Sequence, residues 1–239
     1  MSIVTPDRMT PTAGQEGRPG DMREPNRTVR RLPRPRAARV STSDLLAVCG
    51  FFVVVTVGLW IQHGGLGELL SGGVATLSSV GQISGLIAAL AAMGGLILTS
   101  RPRFLERRYG QDQLLAAHRW FGIITVFTLL VHAITDTWAW GASTGGTIVS
   151  GLIDLLANEA WMVAAVVGTV LMFVIGLSSW RRLRQLMPYE TWYFVHLTGY
   201  LAVLLGFGHQ LTLGADIAGD TLALWWWWGL ALLTVVIVT

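Results

Sequence analysis

Apolar residues in this chain gather into six runs of bilayer-spanning length, separated by polar or Gly-rich connections. The runs are about Asp44–Gln62, Leu77–Ser100, Leu114–Thr137, Ala157–Trp180, Thr191–Leu213 and Thr221–Thr239. They predict six transmembrane helices and an all-α membrane fold. The second run is rich in Gly and Ala, small residues that let helices approach closely in lipid, so it is expected inside the bundle. A Gly-rich loop carrying His63 follows the first run, and a Gly- and Thr-rich loop is expected over Trp138 to Leu156. A short loop with Asp216 and Asp220 precedes the last run.

Ahead of the runs, residues 1–42 are polar, with nine arginines between Arg8 and Arg39. They contain no apolar stretch of the signal-peptide kind and too little apolar surface to fold alone. A disordered basic tail is expected over 1–42, and a single membrane domain over 43–239. The tail's basic end, Arg30 to Arg39, is expected either to lie on anionic headgroups or only to set topology.

Charge gives the bundle a direction. Of 239 residues, 52% are hydrophobic and 13% charged, and all 17 basic residues are arginine. Arginine falls in the tail, in Arg101–Gln113, in Arg181–Glu190 and at Arg119; the other three connections have none. On an alternating six-span path these segments share one side, which the positive-inside rule makes cytoplasmic. The chain is expected in the cell membrane, in contact with lipid, with its N-terminus inside. No nucleic acid is expected as a partner. A single cysteine, Cys49, excludes an internal disulfide and a Cys-ligated iron–sulfur cluster held by this chain.

The chemistry concentrates in two runs. The third carries His118 and His132, the fifth His196 and His209. Histidine within hydrocarbon is costly and calls for a partner or a function. Fourteen residues separate the first pair, roughly 21 Å of helix and within about 40° of one face. Both rings can therefore address one neighbouring helix. The second pair is thirteen apart, which on a straight helix puts the rings about 140° apart. That helix must be overwound or bent, or its rings must reach sideways; Gly206 and Gly208 are the expected seat of a distortion.

The third and fifth runs are co-directional, so His118 meets His196 near the inner face and His132 meets His209 near the outer one. Two bis-histidine sites, each suited to a heme b, follow; neutral imidazole suits iron, and two axial histidines leave no open position. Arg119 is a candidate to pair with a heme propionate, or else a snorkelling arginine that sets orientation. Thr125, Phe127 and Leu129 fall between the two levels, where Phe127 could shorten the gap between hemes. His63 is expected as a solvated loop histidine. Trp138, Trp140 and the run Trp225–Trp228 read as outer-interface anchors. The alternative to heme is a histidine relay in a proton or solute transporter, which normally also wants carboxylates in the spans.

Six runs with His-x13-His on the third and His-x12-His on the fifth resemble the ferric reductase-like transmembrane domain of the ferric reductase and NADPH oxidase superfamily. The segment RPRFLERRYGQDQLLAAHRWFGIITVFTLLVH is similar to its bacterial, actinobacterial-type members. The resemblance implies that the four heme ligands are His118, His132, His196 and His209. It implies electron flow from cytosolic NAD(P)H through FAD to the inner heme, the outer heme and an acceptor outside. Full enzymes of that family continue into FAD- and NAD(P)H-binding domains. This chain ends at Thr239 within apolar sequence and has no Gly-rich dinucleotide fingerprint. The flavin part is thus expected on a missing domain or a separate reductase subunit, docked on the arginine-bearing inner loops.

Overall fold

The computed structural model describes residues 42–214 and 219–239. The expected tail lies outside them except for Thr42, as does Asp216. Among the described residues there are nine helices: α1 Thr42–Gln62, α2 Gly65–Ser71, α3 Gly73–Thr99, α4 Arg103–Ser143, α5 Ile148–Asn158, α6 Met162–Ser179, α7 Arg181–Arg184, α8 Tyr189–Leu213 and α9 Thr221–Val238. Five of these, α3, α4, α6, α8 and α9, are long and apolar enough to cross a membrane. α1 and α2 are bent by 65° at the break between them and add a sixth span if the pair is counted as one.

Local sequence explains the helix ends. Pro102 and Pro188 stand at the N-caps of α4 and α8, where a missing N–H costs nothing. The Asp220 carboxylate accepts from the Leu222 and Ala223 N–H groups at 2.6 and 3.3 Å and caps α9. Gly110, at φ 74° and ψ 160°, breaks α4 near its start and sets the Arg103–Tyr109 turns off from the long histidine-bearing segment.

The expected loop over Trp138 to Leu156 is mostly helix instead. α4 runs on to Ser143, and α5 folds back against it. Thr147 and Ser150 form a reciprocal capping box that starts α5. Glycines make the return possible: a Cβ on Gly151 would lie 2.7 Å from the Gly141 nitrogen. Glycine and threonine here encode a tight helical hairpin, although such a composition reads as loop.

α3 is the most enclosed of the spanning helices, as its small residues predict. It packs along α4 and α2 and also touches α1, α8 and α9. Trp60 of α1, Leu86 and Met93 of α3, and Trp227 and Leu230 of α9 form a buried cluster. Polar bonds tie α3 to α2 and α9 to α1: Ser79 Oγ donates to the Gly65 carbonyl at 2.6 Å, and Trp226 Nε1 donates to Thr56 Oγ1 at 3.2 Å. The four-tryptophan run is therefore not a simple interfacial belt. Trp227 is buried and Trp226 bonded inward, whereas Trp225 and Trp228 are exposed, because successive residues on a helix turn by about 100°. Large apolar side chains such as Phe51, Ile123, Val163, Leu204 and Leu232 cover the outside, a surface suited to lipid rather than water.

Candidate functional site

α4 lies along α3, and α8 lies along α6. Between these two pairs, α4 and α8 face each other chiefly through their histidines. The ring centroids of His118 and His196 are 5.9 Å apart, and those of His132 and His209 are 6.3 Å apart. All four rings are half-buried. These pairings make α4 and α8 parallel and put the two ring pairs at different depths.

The separations can be tested against axial ligation. A metal–imidazole bond is about 2 Å, and a ring nitrogen lies about 1.2 Å from its ring centre, so two axial imidazoles on one metal place their centres roughly 6.4 Å apart. The outer pair is close to that span, and the inner pair falls about 0.5 Å short of it. Among the described residues no group of three or more His, Cys, Asp or Glu comes together as metal ligands. Two opposed rings without a third donor suit a planar macrocycle that supplies its own equatorial nitrogens, rather than a bare ion.

α3 holds the two α4 rings from behind. His118 Nδ1 donates to the Gly95 carbonyl at 3.1 Å, and His132 Nδ1 donates to the Gly81 carbonyl at 3.0 Å. A carbonyl only accepts, so each Nδ1 carries the proton and the lone pair sits on Nε2, the nitrogen available to a metal. The two glycines are themselves fourteen residues apart, the same interval as the histidines, on an antiparallel helix. Their lack of side chain matters as much as their carbonyls. A Cβ on Gly85 would fall 2.8 Å from His132 Nδ1, and one on Gly94 would run into the Phe121 ring.

The α8 rings are supported differently. His196 stacks on Trp192 at 4.9 Å, and its Nδ1 lies 3.4 Å from Ser179 Oγ. Trp192 Nε1 donates to the same hydroxyl at 3.4 Å, and the Arg184 guanidinium lies 4.6 Å over the Trp192 ring. His209 Nδ1 is buried with no hydrogen-bond partner among the described residues. Neither Gly206 nor Gly208 breaks α8, which stays helical from Tyr189 to Leu213 with no positive φ at either. Gly208 serves a close approach instead: a Cβ there would lie 2.7 Å from the Trp161 ring. Trp161 itself adopts φ 67° at the turn between α5 and α6.

Of the remaining expectations, those for Phe127 and His63 change. Arg119 is exposed next to His118, and among the described residues no ion pair engages it. Phe127 is 65% exposed and, nine residues from His118, sits on about the opposite face of α4. Thr125 occupies that position: it is buried, seven residues from each α4 histidine and within about 20° of their face. His63 is not simply solvated. Its Nδ1 donates to the Leu59 carbonyl at 2.7 Å, and its Nε2 pairs with Asp220 at 2.7 Å, which fastens the α1–α2 bend to the start of α9. The Leu222 N–H, with further help from Ala223 and His63, holds the Asp220 carboxyl below its ordinary value. Sequence reading also missed Gly81, Gly95 and Trp192. The fourteen-residue interval between the two glycines was the signal available for the first two.

Residues 84–207 match the family described as "Ferric reductase like transmembrane component". One similar protein is the protein-methionine-sulfoxide reductase heme-binding subunit MsrQ of Pasteurella multocida (strain Pm70), 28% identical over 101 residues. The match covers 42% of this chain and 47% of that protein, so it spans about half of the relative. No solved structure matches. The matched segment covers more than half of the chain and takes in three of the four paired histidines, and on that match the chain belongs to the ferric reductase-like transmembrane family.

Proposed function

We propose that this chain carries electrons across the cell membrane through two b-type hemes, with His118 and His196 as axial ligands at the inner level and His132 and His209 at the outer level. The observation that carries the reading is the pair of ring separations, 5.9 and 6.3 Å, both close to what two imidazoles on one iron require. When bound, the hemes supply one-electron redox chemistry with no open coordination position. The chain's own residues orient the rings, fix their tautomer through Gly81 and Gly95, and keep water out of the gap beside Thr125.

In this reading residues 43–239 form one membrane domain, the bent pair α1–α2 is a single span, and the bundle has six. Arginine on α7 and before and within α4 favours the cytoplasmic side for those ends and for the N-terminus. A flavin reductase domain or subunit carrying FAD and oxidising NAD(P)H docks there, and Arg119 takes a heme propionate. The acceptor at the outer face is of the ferric iron or oxygen type. Likeness to a heme-binding subunit of a methionine-sulfoxide reductase adds a third possibility, a partner enzyme that acts on oxidised protein.

A histidine relay without heme is the competing reading. One observation favours it: Asp136 lies inside α4, 3.7 Å from His132, rather than at a span end. Purified protein separates the two. A Soret band with about two hemes per chain, reducible by a matched flavoreductase and NAD(P)H without oxygen, is expected. A colourless preparation that is never loaded by added hemin overturns the electron-transfer reading.

A further inference from the structure

The two ligand pairs are not built alike, and the difference lies on α4. At both levels the α4 ring donates through Nδ1 to a glycine carbonyl of α3. At the outer level a carboxylate joins them: Asp136, one turn beyond His132, places Oδ2 3.7 Å from the same Nδ1. At the inner level the residue one turn beyond His118 is Gly122, with open space where a side chain would begin. α3 is shaped for the outer arrangement. A Cβ on Gly81 would fall 2.6 Å from Asp136 Oδ1, so only glycine there leaves room for the carboxylate. The Gly81 carbonyl that receives His132 also accepts from Ser84 Oγ at 2.9 Å, which fixes its place.

We propose that Asp136 is a positioning residue for His132 that lowers the reduction potential of the outer heme relative to the inner one. This rests on the heme reading given above. A carboxylate near the proton-bearing nitrogen of an axial imidazole makes the ring a stronger donor to iron. Its negative charge also favours the more positive, oxidised iron over the reduced one. Both effects have the same sign. The outer site, from which an electron must leave, becomes the better donor to an acceptor outside.

The test uses the full chain loaded with heme in detergent. Redox titration followed by visible absorption, with low-temperature EPR of the oxidised protein, gives the two potentials and axial-ligand signatures. His118→Ala and His132→Ala assign each potential to its level. Asp136→Asn, which keeps the shape against Gly81, should retain both hemes and raise only the outer potential. A tenfold change in its reduction equilibrium is expected, which is about 59 mV for one electron. Asp136→Glu should stay close to the parent. Gly122→Asp should lower the inner potential, a change that loss of packing cannot mimic. Two bound hemes whose potentials are unmoved in both Asp136→Asn and Gly122→Asp overturn this proposal and leave the heme reading standing. A parent protein that binds no outer heme overturns both.

Discussion

Gly85→Ala offers a demanding test of the outer pair, because its control is built into the same helix. The added methyl would lie 2.8 Å from His132 Nδ1 and 3.1 Å from Cε1. To reach ordinary contact at 3.4 Å, the ring must retreat by about 0.6 Å. A metal site tolerates displacements of only about 0.5 Å. Overpacking of this kind costs about 1–3 kcal/mol, which is roughly a five- to 150-fold loss of heme affinity at that site. Gly95→Ala on the same helix meets nothing nearer than His118 Nδ1 at 3.6 Å. Both changes gain the same helix propensity, up to about 1 kcal/mol, so that contribution cancels between them. The assay is heme stoichiometry by hemochrome after purification, with melting temperature measured in parallel. Gly85→Ala should fall from about two hemes toward one with its fold intact, and Gly95→Ala should keep two. Full occupancy in Gly85→Ala would refute the placement of the His132 ring against α3.

The remaining predictions concern the ligands, the inner support and the outer clasp. His132→Ala should remove the outer heme and spare the inner one, and His118→Ala should do the reverse; stoichiometry still near two in either would end the pairing. Trp192→Leu removes the ring stacked on His196, an interaction worth about 0.5–1.5 kcal/mol. Inner heme should then transfer to an apo-acceptor protein roughly twofold to thirteenfold faster, and an unchanged rate counts against that support. Asp220 has a folded-state pKa below its ordinary 3.8, so its stabilising contribution is complete above that value and is lost as pH falls through the folded value. Thermal stability measured against pH should therefore decline more steeply below about pH 4 in the parent than in Asp220→Asn; superimposable acid limbs would show that the Asp220 carboxylate, through the α9 cap and the His63 clasp together, contributes nothing.

Much of the architecture is legible along the chain because lipid imposes a simple rule: a spanning segment must be apolar and must satisfy its own backbone. The ends of α1, α6, α8 and α9 lie within a few residues of where hydropathy predicts them. The interior place of α3 follows from its small residues. The rule is weaker where backbone is not spanning. The α4–α5 hairpin hides in a Gly- and Thr-rich stretch, because close approach of Gly141 and Gly151 is a contact between segments and not a local preference. Trp225–Trp228 looks uniform in one dimension, yet helical rotation sends two of its members inward and two outward.

For the candidate site, spacing alone determines which histidines share a depth, because rise per residue and chain direction are local properties. It also shows that His196 and His209, thirteen residues apart, do not share one face of a straight α8. How the rings are held is decided only in three dimensions. Gly81 and Gly95 present carbonyls to His132 and His118, Gly85 leaves space for a ring, and Trp192 stacks on His196, because helices distant in sequence pack at contact distance. Asp136 is the sharpest instance. In sequence it is an acid near a span end; in the folded bundle it lies beside the proton of a paired imidazole, in room left by a missing methyl on another helix.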